Sequence, residues 1–400
     1  MPWQGESEMD KRAEFLRRAI QPRANVSELC REFGISRSVG HKVLKRYREA
    51  GEAGIAPRSR RPNSHAFEVS AETVCEIVAL RSKYPTWGGK KLRELLADKV
   101  EVVPCVRTID RVLQRAGMVR QKRRNRGRWL DNDRISKALR CNHIWSVDFK
   151  GWWQTKDRKP CFPLTVRDGY SRYMLGIYAL PGTGYEGVKA AFEELFSTYG
   201  IPEAILTDNG SPFASVLSVQ GLTRLSAWWV KLLIQPRRIL PGCPYMNGSH
   251  ERMHKDMKAE LQANPAWNLK DQQKIFNEWR ESYNSIRPNE AIGMKRPSKV
   301  YEHSKVSLPT VIPEYDYPAS MQVRRTSSRG YISWHQKPYF ISGAIPLETI
   351  GIRQEDDESL SLWFCNLKLG ETTKNFEYPL GGTRASPYSF RHARNQRRDL

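Results

Sequence analysis

What this chain lacks narrows it before any motif is read. Its seven cysteines, Cys30, Cys75, Cys105, Cys141, Cys161, Cys243 and Cys365, include no Cys-x-x-Cys pair, which argues against a zinc ribbon and against a disulfide-framed module. No apolar run reaches the length that crosses a bilayer, and Met1 to Lys11 is polar rather than a signal-peptide core, so a cytoplasmic protein with no membrane partner is expected. Acids are scarce as well: 43 Asp plus Glu stand against 66 Lys plus Arg, a net charge of +23 and a pI near 9.8. Self-repulsion of that size is normally offset by a bound polyanion, which makes nucleic acid the expected partner and the bacterial nucleoid the expected location. Four hundred residues exceed what a single core usually supports, so several domains are expected.

Among the acids present, three sit where chemistry wants them. Asn142 to Lys150 reads as a strand, with Ile144, Val147 and Phe149 as its strand formers, and it carries Asp148. Ala204, Ile205 and Leu206 form a second short apolar strand, and Asp208-Asn209-Gly210 behind it is turn chemistry that fixes a carboxylate at a sheet edge. Gly242, Pro244 and Asn247-Gly248 then break the chain before a helix from His250 to Leu261, which places Glu251 in a first helical turn. Converging carboxylates are hard oxygen ligands suited to Mg2+ or Mn2+. Two such ions about 4 Å apart activate an attacking oxygen and stabilise a leaving one during displacement at phosphorus.

These residues resemble the DDE transposases and retroviral-type integrases, and within them the bacterial insertion-sequence transposases with an integrase catalytic core. The strings that carry the resemblance are Trp145-Ser146-Val147-Asp148-Phe149, Val166-Arg167-Asp168-Gly169-Tyr170-Ser171-Arg172, Leu206-Thr207-Asp208-Asn209-Gly210, Asn247-Gly248 with Glu251-Arg252 and His254, and Tyr283-Asn284-Ser285-Ile286-Arg287-Pro288. They span roughly Val26 to Tyr301. The resemblance implies a ribonuclease-H-like core with Asp148, Asp208 and Glu251 as catalytic and metal-holding residues, and two Mg2+ or Mn2+ ions per site. It implies cleavage of DNA 3′ ends and strand transfer into target DNA. It also implies terminal inverted repeats as partner and a homodimer or higher assembly on DNA. One departure is that about forty residues separate Asp208 from Glu251, more than is typical of retroviral integrases. The segment Leu217 to Leu233, with Trp228 and Trp229 in a helical apolar pattern, is expected to hold the extra length. Glu251 is preferred to Glu203 and Glu260, which lack the preceding Asn-Gly break. Asp168, in Arg167-Asp168-Gly169, is expected to be a hairpin-turn residue.

Other readings compete. His250-Glu251-Arg252-Met253-His254 satisfies H-E-x-x-H, the pattern of a zinc metalloprotease, but it leaves Asp148 and Asp208 without a role. Under the transposase reading His254 touches a carboxylate or a phosphate, and His250 faces solvent. A catalytically silent DNA-binding regulator would share the amino-terminal features described next.

Retroviral integrases carry a His-His-Cys-Cys zinc module before the core, and this chain has none, so another element must dock DNA. Val26 to Phe33 reads as a capped helix, Gly34-Ile35-Ser36 as a tight turn and Arg37 to Tyr47 as a second helix, a helix-turn-helix pattern. Arg37, Ser38, His41 and Lys42 are its candidate base readers, with Lys45 and Arg46 on phosphates. A second helical unit follows the basic, proline-marked Pro57 to Asn63. Its helices are Ala71 to Lys83, Lys90 to Leu96 and Arg107 to Ala116, and Arg107, Thr108 and Arg111 are candidate DNA contacts. Two modules in tandem read a longer end sequence than one. The run Arg120 to Arg128, with Lys122, Arg123 and Arg124, is either a phosphate clamp or a solvated linker. Asn247, Arg252, His254 and Arg287 complete the candidate DNA contacts; for Arg287, which closes an amphipathic helix over Leu269 to Ser285, a helix-terminal salt bridge explains the residue equally well.

Short alternating runs from Met321 to Leu367 predict a small β-barrel. The expected architecture is therefore multidomain α/β: a helix-turn-helix domain at 1–60, a second helical DNA-binding domain at 61–119, a basic linker at 120–140, the ribonuclease-H-like core at 141–302, the barrel at 318–382 and a basic tail at 383–400.

Overall fold

A computed structural model describes residues 8–56, 69–119, 137–215, 218–240, 248–262, 264–355, 359–373 and 376. The chain divides into two compact units, Met1–Ser70 and Ala71–Leu400.

The first unit holds α1 (Glu8–Ala19), α2 (Val26–Glu32) and α3 (Arg37–Ala50). The last two stand where the sequence places a helix-turn-helix. Asn25 Oδ1 accepts from the Glu28 amide and Ser36 Oγ from the Val39 amide, so each helix begins on a residue that satisfies an orphan donor. Gly34 makes the turn at φ +62°, a conformation glycine adopts without steric cost. The sequence reading did not anticipate α1, which supplies Phe15 and Leu16 to a core shared with Leu29, Cys30, Ile35, Val43 and Leu44. The helices leave no room beside Gly40, where an added Cβ would collide with Cys30 Sγ and lie 3.1 Å from Phe15. Gly40→Ala is therefore expected to destabilise this unit by about 1–3 kcal/mol, the cost of overpacking a core. Faster hydrogen exchange of the α1–α3 amides is the readout, and unchanged protection would refute it.

In the second unit, α4 (Ala71–Lys83), α5 (Gly89–Leu96) and α6 (Val106–Arg115) enclose Ile77, Leu80, Trp87, Leu92, Leu96, Ile109 and Leu113. The elements that follow are β1 (Ile144–Phe149), β2 (Trp153–Gln154), β3 (Pro160–Asp168), β4 (Met174–Leu180), α7 (Tyr185–Tyr199), β5 (Ala204–Thr207), α8 (Arg224–Lys231), β6 (Gln235–Arg238), α9 (Gly248–Met257) and α10 (Leu269–Ser285). Strand order runs β4-β3-β1-β5-β6, with β2 paired to the start of β3. The β3 strand runs antiparallel to both of its neighbours, β1 and β4, while β5 and β6 run parallel to β1. This is the ribonuclease-H-like arrangement.

The two faces of the sheet differ in chemistry because side chains alternate along a strand. On one face Trp145, Val147, Leu164 and Val166 pack under Phe192 and Phe196 of α7 and Trp229 of α8. On the other, β1 presents Ser146 and Asp148, opposite Arg167 and Thr165 of β3. Met253 and Met257 of α9 and Phe276, Trp279 and Tyr283 of α10 cluster with Met174 and Ile177 of β4, so these helices cover the β4 end of the polar face.

The carboxy-terminal strands are β7 (Met321–Arg325), β8 (Tyr331–Trp334), β9 (Lys337–Phe340), β10 (Thr349–Gln354), β11 (Ser359–Phe364) and β12 (Leu367–Thr373). They correct the expected barrel. Among the described residues they form an open four-stranded sheet, β12-β11-β10-β7, and a separate β8-β9 hairpin, neither closed on itself. The apolar residues Ile350, Ile352, Leu360, Leu362 and Phe364 pack instead with Val219, Leu222 and Val230 around α8, so the sheet has a partner layer and does not need closure. At the edge, Gln322 to Arg325 are all exposed. The basic tail at 383–400 and residues 120–136 of the basic run lie outside the described residues. No helix among the described residues is long and apolar enough to cross a membrane.

Candidate active site

Asp148 and Asp208 reach the same level by register. Ser146 of β1 pairs with Leu206 of β5 in parallel, and each acid lies two residues further along its strand direction, at the carboxyl end. Neighbouring strands lie about 4.8 Å apart, so the two carboxylates project near each other. Asp208 is held by its own turn, its Oδ1 accepting from the Gly210 amide at 3.1 Å. Asp148 titrates at about 7: burial raises it first, then the negative charge of Asp208, with a smaller push from Glu251, against the lowering pull of the Phe149 amide and Lys150. Glu251 stands in the first turn of α9, exposed. Among the described residues, no three His, Cys, Asp or Glu side chains are gathered into a metal cage.

The two histidines of α9 face inward, which corrects the expectation that His250 meets solvent. His250 is fully buried and His254 is 6 % exposed. His250 Nδ1 lies 3.0 Å from Ser146 Oγ, and both Nε2 atoms lie 2.7 Å from Thr165 Oγ1. Two nitrogens spent on one hydroxyl are not presented to a shared zinc ion, so the H-E-x-x-H reading loses its geometry. His254 Nδ1 approaches Asp148 Oδ2 at 3.6 Å. Burial, aided by Lys150 and Arg167, lowers the His254 pKa to about 3. Burial likewise drives His250 far below the ordinary histidine value, with Arg167 and His254 adding to it. Both rings are neutral at physiological pH. Buried away from open surface, His254 is corrected as a DNA contact.

Arg287 is corrected in the same way. It is 4 % exposed, bonds Asp256 at 2.6 Å and Glu260 at 3.3 Å, and stacks between the Trp87 and Tyr283 rings. The salt-bridge alternative describes it. Glu260 is thereby engaged, with the Trp279 indole and Thr86 hydroxyl also on it, and Glu203 pairs with Arg140. Asp168 is a turn brace: fully buried, it accepts from the amides of Asn142 and Ser171 and from the Ser171 hydroxyl.

Arg37, Ser38, His41, Lys42 and Lys45 are exposed along α3 and Arg46 is half-buried; Arg107 and Arg111 are exposed on α6, and Arg252 is exposed on α9. Thr108 is half-buried, its hydroxyl 3.3 Å from Cys105 Sγ. Lys122, Arg123, Arg124 and Asn247 lie outside the described residues. Sequence reasoning missed Ser146 and Thr165, whose signal was polarity at the strand positions that share a face with Asp148. It also missed Lys91, which burial and the nearby Arg287 lower to about 8.

A helix-turn-helix domain model matches residues 11–63, a homeodomain-like domain model residues 39–113 and an integrase core domain model residues 232–297. The last match takes in Glu251 and α10, while both aspartates precede it. The chain is 25 % identical over 287 residues to an uncharacterized 31.7 kDa protein of insertion element IS407 from Burkholderia multivorans, covering 70 % of this chain and 92 % of that protein. It is also 25 % identical over 269 residues to an uncharacterized 39.2 kDa protein of insertion element IS476 from Xanthomonas euvesicatoria, covering 66 % and 75 %. Among solved structures, it is similar to the HTLV-2 integrase catalytic core domain in complex with magnesium (18 % identity, TM-score 0.32, 42 % of this chain and 100 % of that one). A simian T-cell lymphotropic virus intasome in complex with a PP2A regulatory subunit is another (13 %, 0.37, 73 % and 94 %). The chain thus carries a stretch that matches an integrase core domain, with matches to helix-turn-helix and homeodomain-like domains ahead of it. The sequence relatives named above are proteins of bacterial insertion elements.

Proposed function

We propose that this protein is the transposase of its insertion element, binding the terminal inverted repeats, cleaving DNA 3′ ends and joining them to target DNA. Asp148, Asp208 and Glu251 would hold two divalent cations, Mg2+ or Mn2+. The observation that carries the reading is the parallel pairing of Ser146 with Leu206, which sets Asp148 and Asp208 level two residues further on, with Asp148 raised to about 7 by burial, Asp208 and Glu251. Like charges so placed suit a cation, and all three donors are hard oxygens. Bound there, the cations would activate the attacking oxygen and stabilise the leaving one. Glu251, exposed on a flexible stem, completes the set on loading, and Arg252 beside it takes a phosphate. The α3 residues Arg37, Ser38, His41 and Lys42 read bases, and Arg107 and Arg111 of α6 extend the footprint. Joining two ends calls for at least a dimer on DNA.

Incubation with labelled end-bearing DNA and Mn2+ tests this. Nicking is expected from the native chain and should vanish in Asp148→Asn, Asp208→Asn and Glu251→Gln while end binding survives. End binding without nicking by the native chain would replace the enzyme with a DNA-binding regulator.

A further inference from the structure

We propose that Lys91, reaching from the α4–α6 module, clamps one backbone phosphate of the bound DNA together with Arg252 of α9, beside the catalytic acids; the inference rests on the transposase reading above. Residues four apart share a face of a helix. Arg252, Asp256 and Glu260 therefore line one side of α9 and of the Lys258–Gln262 turn that continues it. Arg287 marks that side, since its guanidinium bonds Asp256 at 2.6 Å and Glu260 at 3.3 Å. Arg252 stands one turn earlier, about 6 Å nearer the helix start, next to Glu251. The same Arg287 guanidinium lies 5.5 Å from the centre of the Trp87 ring, and Lys91 Nζ lies 5.9 Å from it. α5 thus carries Lys91 to this side of α9. The charges of Arg287, Asp256, Arg252 and Glu260 all bear on its ammonium, and Glu290 feels Lys90, Arg252 and Lys91 together.

Which charges are already engaged decides what the pair can do. Asp256 and Glu260 are taken by Arg287, and Glu290 by Lys90. Among the described residues, neither Lys91 nor Arg252 is within ion-pair distance of an acid. Two cations from separate elements are thereby held near each other, Lys91 half-buried and Arg252 exposed. Like charges repel, and desolvating one is costly unless an anion joins it. The cost shows in Lys91, lowered to about 8 by burial first and then by Arg287, with Arg252 adding to it. A phosphodiester between the two offsets that cost, and Lys and Arg bind one through charge-assisted hydrogen bonds. Neighbouring Cα atoms lie about 3.8 Å apart and neighbouring phosphates of one strand rise by about 3.4 Å, so a phosphate on Arg252 falls within about two nucleotides of the bond cut beside Glu251. The two jaws belong to different parts of the chain, Arg252 to the catalytic helix and Lys91 to the module that carries Arg107 and Arg111. They meet only while the Arg287 joint holds, so engagement of a DNA end by the module and seating of the strand at the acids become one event.

The full chain and end-bearing duplex DNA test this, with a single uncharged methylphosphonate placed in turn at each backbone position around the junction of element and flank. In the native chain, one position within about two nucleotides of the junction should weaken binding about tenfold. That loss should shrink to about threefold in Lys91→Met, which keeps the stem on Trp87, and in Arg252→Gln, vanish in the double variant and return in Lys91→Arg. A variant whose fold is loosened weakens binding at every position alike and leaves these ratios as they are in the native chain. Equal ratios in the native chain and Lys91→Met would therefore overturn the inference, and nicking by the native chain in Mn2+ would show that the transposase reading survives it. A native chain with no sensitive phosphate near the junction would overturn the inference without any variant. End binding without nicking would remove the transposase reading, and the ratios, read from binding alone, would still decide the clamp.

Discussion

Arg287→Ala is expected to loosen the α4–α6 module from the helices that flank the catalytic sheet, at a cost of about 3 kcal/mol. The guanidinium is the joint between them. On one side it lies over Trp87, 5.5 Å from the ring centre, and on the other over Tyr283 at 5.6 Å; below it stand Asp256 and Glu260. Truncation removes two cation–π contacts and leaves two half-buried acids without their counter-charge, which is costlier than never having built the pair. Other links are weaker: the Thr86 hydroxyl on Glu260, the packing of Ile286 against the module's core, and the solvent-facing pairs Lys90 with Glu290 and Arg296 with Asp98, each pair worth under about 1 kcal/mol. Arg287→Lys should recover less than half the loss, because a compact ammonium cannot stack flat between two rings while bonding two acids. Hydrogen exchange at Trp87 to Lys91 and along α10 measures the loosening, and denaturant unfolding measures the energy. A variant within about 0.5 kcal/mol of native would remove Arg287 from this role.

The joint explains which parts of the molecule were legible in the sequence. α4 and α10 form over the residues their patterns mark, Ala71–Lys83 and Leu269–Ser285, because an apolar stripe specifies a helix without reference to its neighbours. The strands under Asp148 and Asp208 were equally clear, being short apolar runs that end in turn chemistry. Sequence alone left open what each polar residue faces. Arg287 reads as a DNA contact or a salt bridge until Trp87, 200 positions away, is seen over it. His250 looks solvent-bound because most histidines in a polar helix start are. It is buried because Ser146 and Thr165 offer hydroxyls on the sheet face that α9 happens to cover, and a buried polar group is tolerated where it is bonded. Likewise, alternation in β10 and β11 announced a half-buried sheet but could not say whether its partner layer was a second sheet or α8.

Asp148→Asn is expected to make the metal-free protein more stable above pH 7, the reverse of what a core substitution usually does. The native carboxyl titrates at about 7 when folded against an ordinary 3.8. The folded chain therefore holds a proton between those values that the unfolded chain has released, and native stability should fall as pH rises from about 4 to about 7 and then level off. Three pH units correspond to roughly 4 kcal/mol, an upper bound because Asp148 and Asp208 titrate as a pair. The asparagine variant has no charge to bury and should escape that decline, so the two proteins converge near pH 4 and differ most at pH 8. Adding Mn2+ narrows the gap: binding at a hundredfold excess over its dissociation constant stabilises the native chain by about 2.7 kcal/mol, and the variant, having lost a ligand, gains little. Melting curves at pH 4, 6 and 8, with and without Mn2+, separate these effects. Equal stability of the two proteins at pH 8 without metal would mean that neither burial nor Asp208 disfavours the Asp148 charge in the folded state, and the case for a cation there would lose its physical basis.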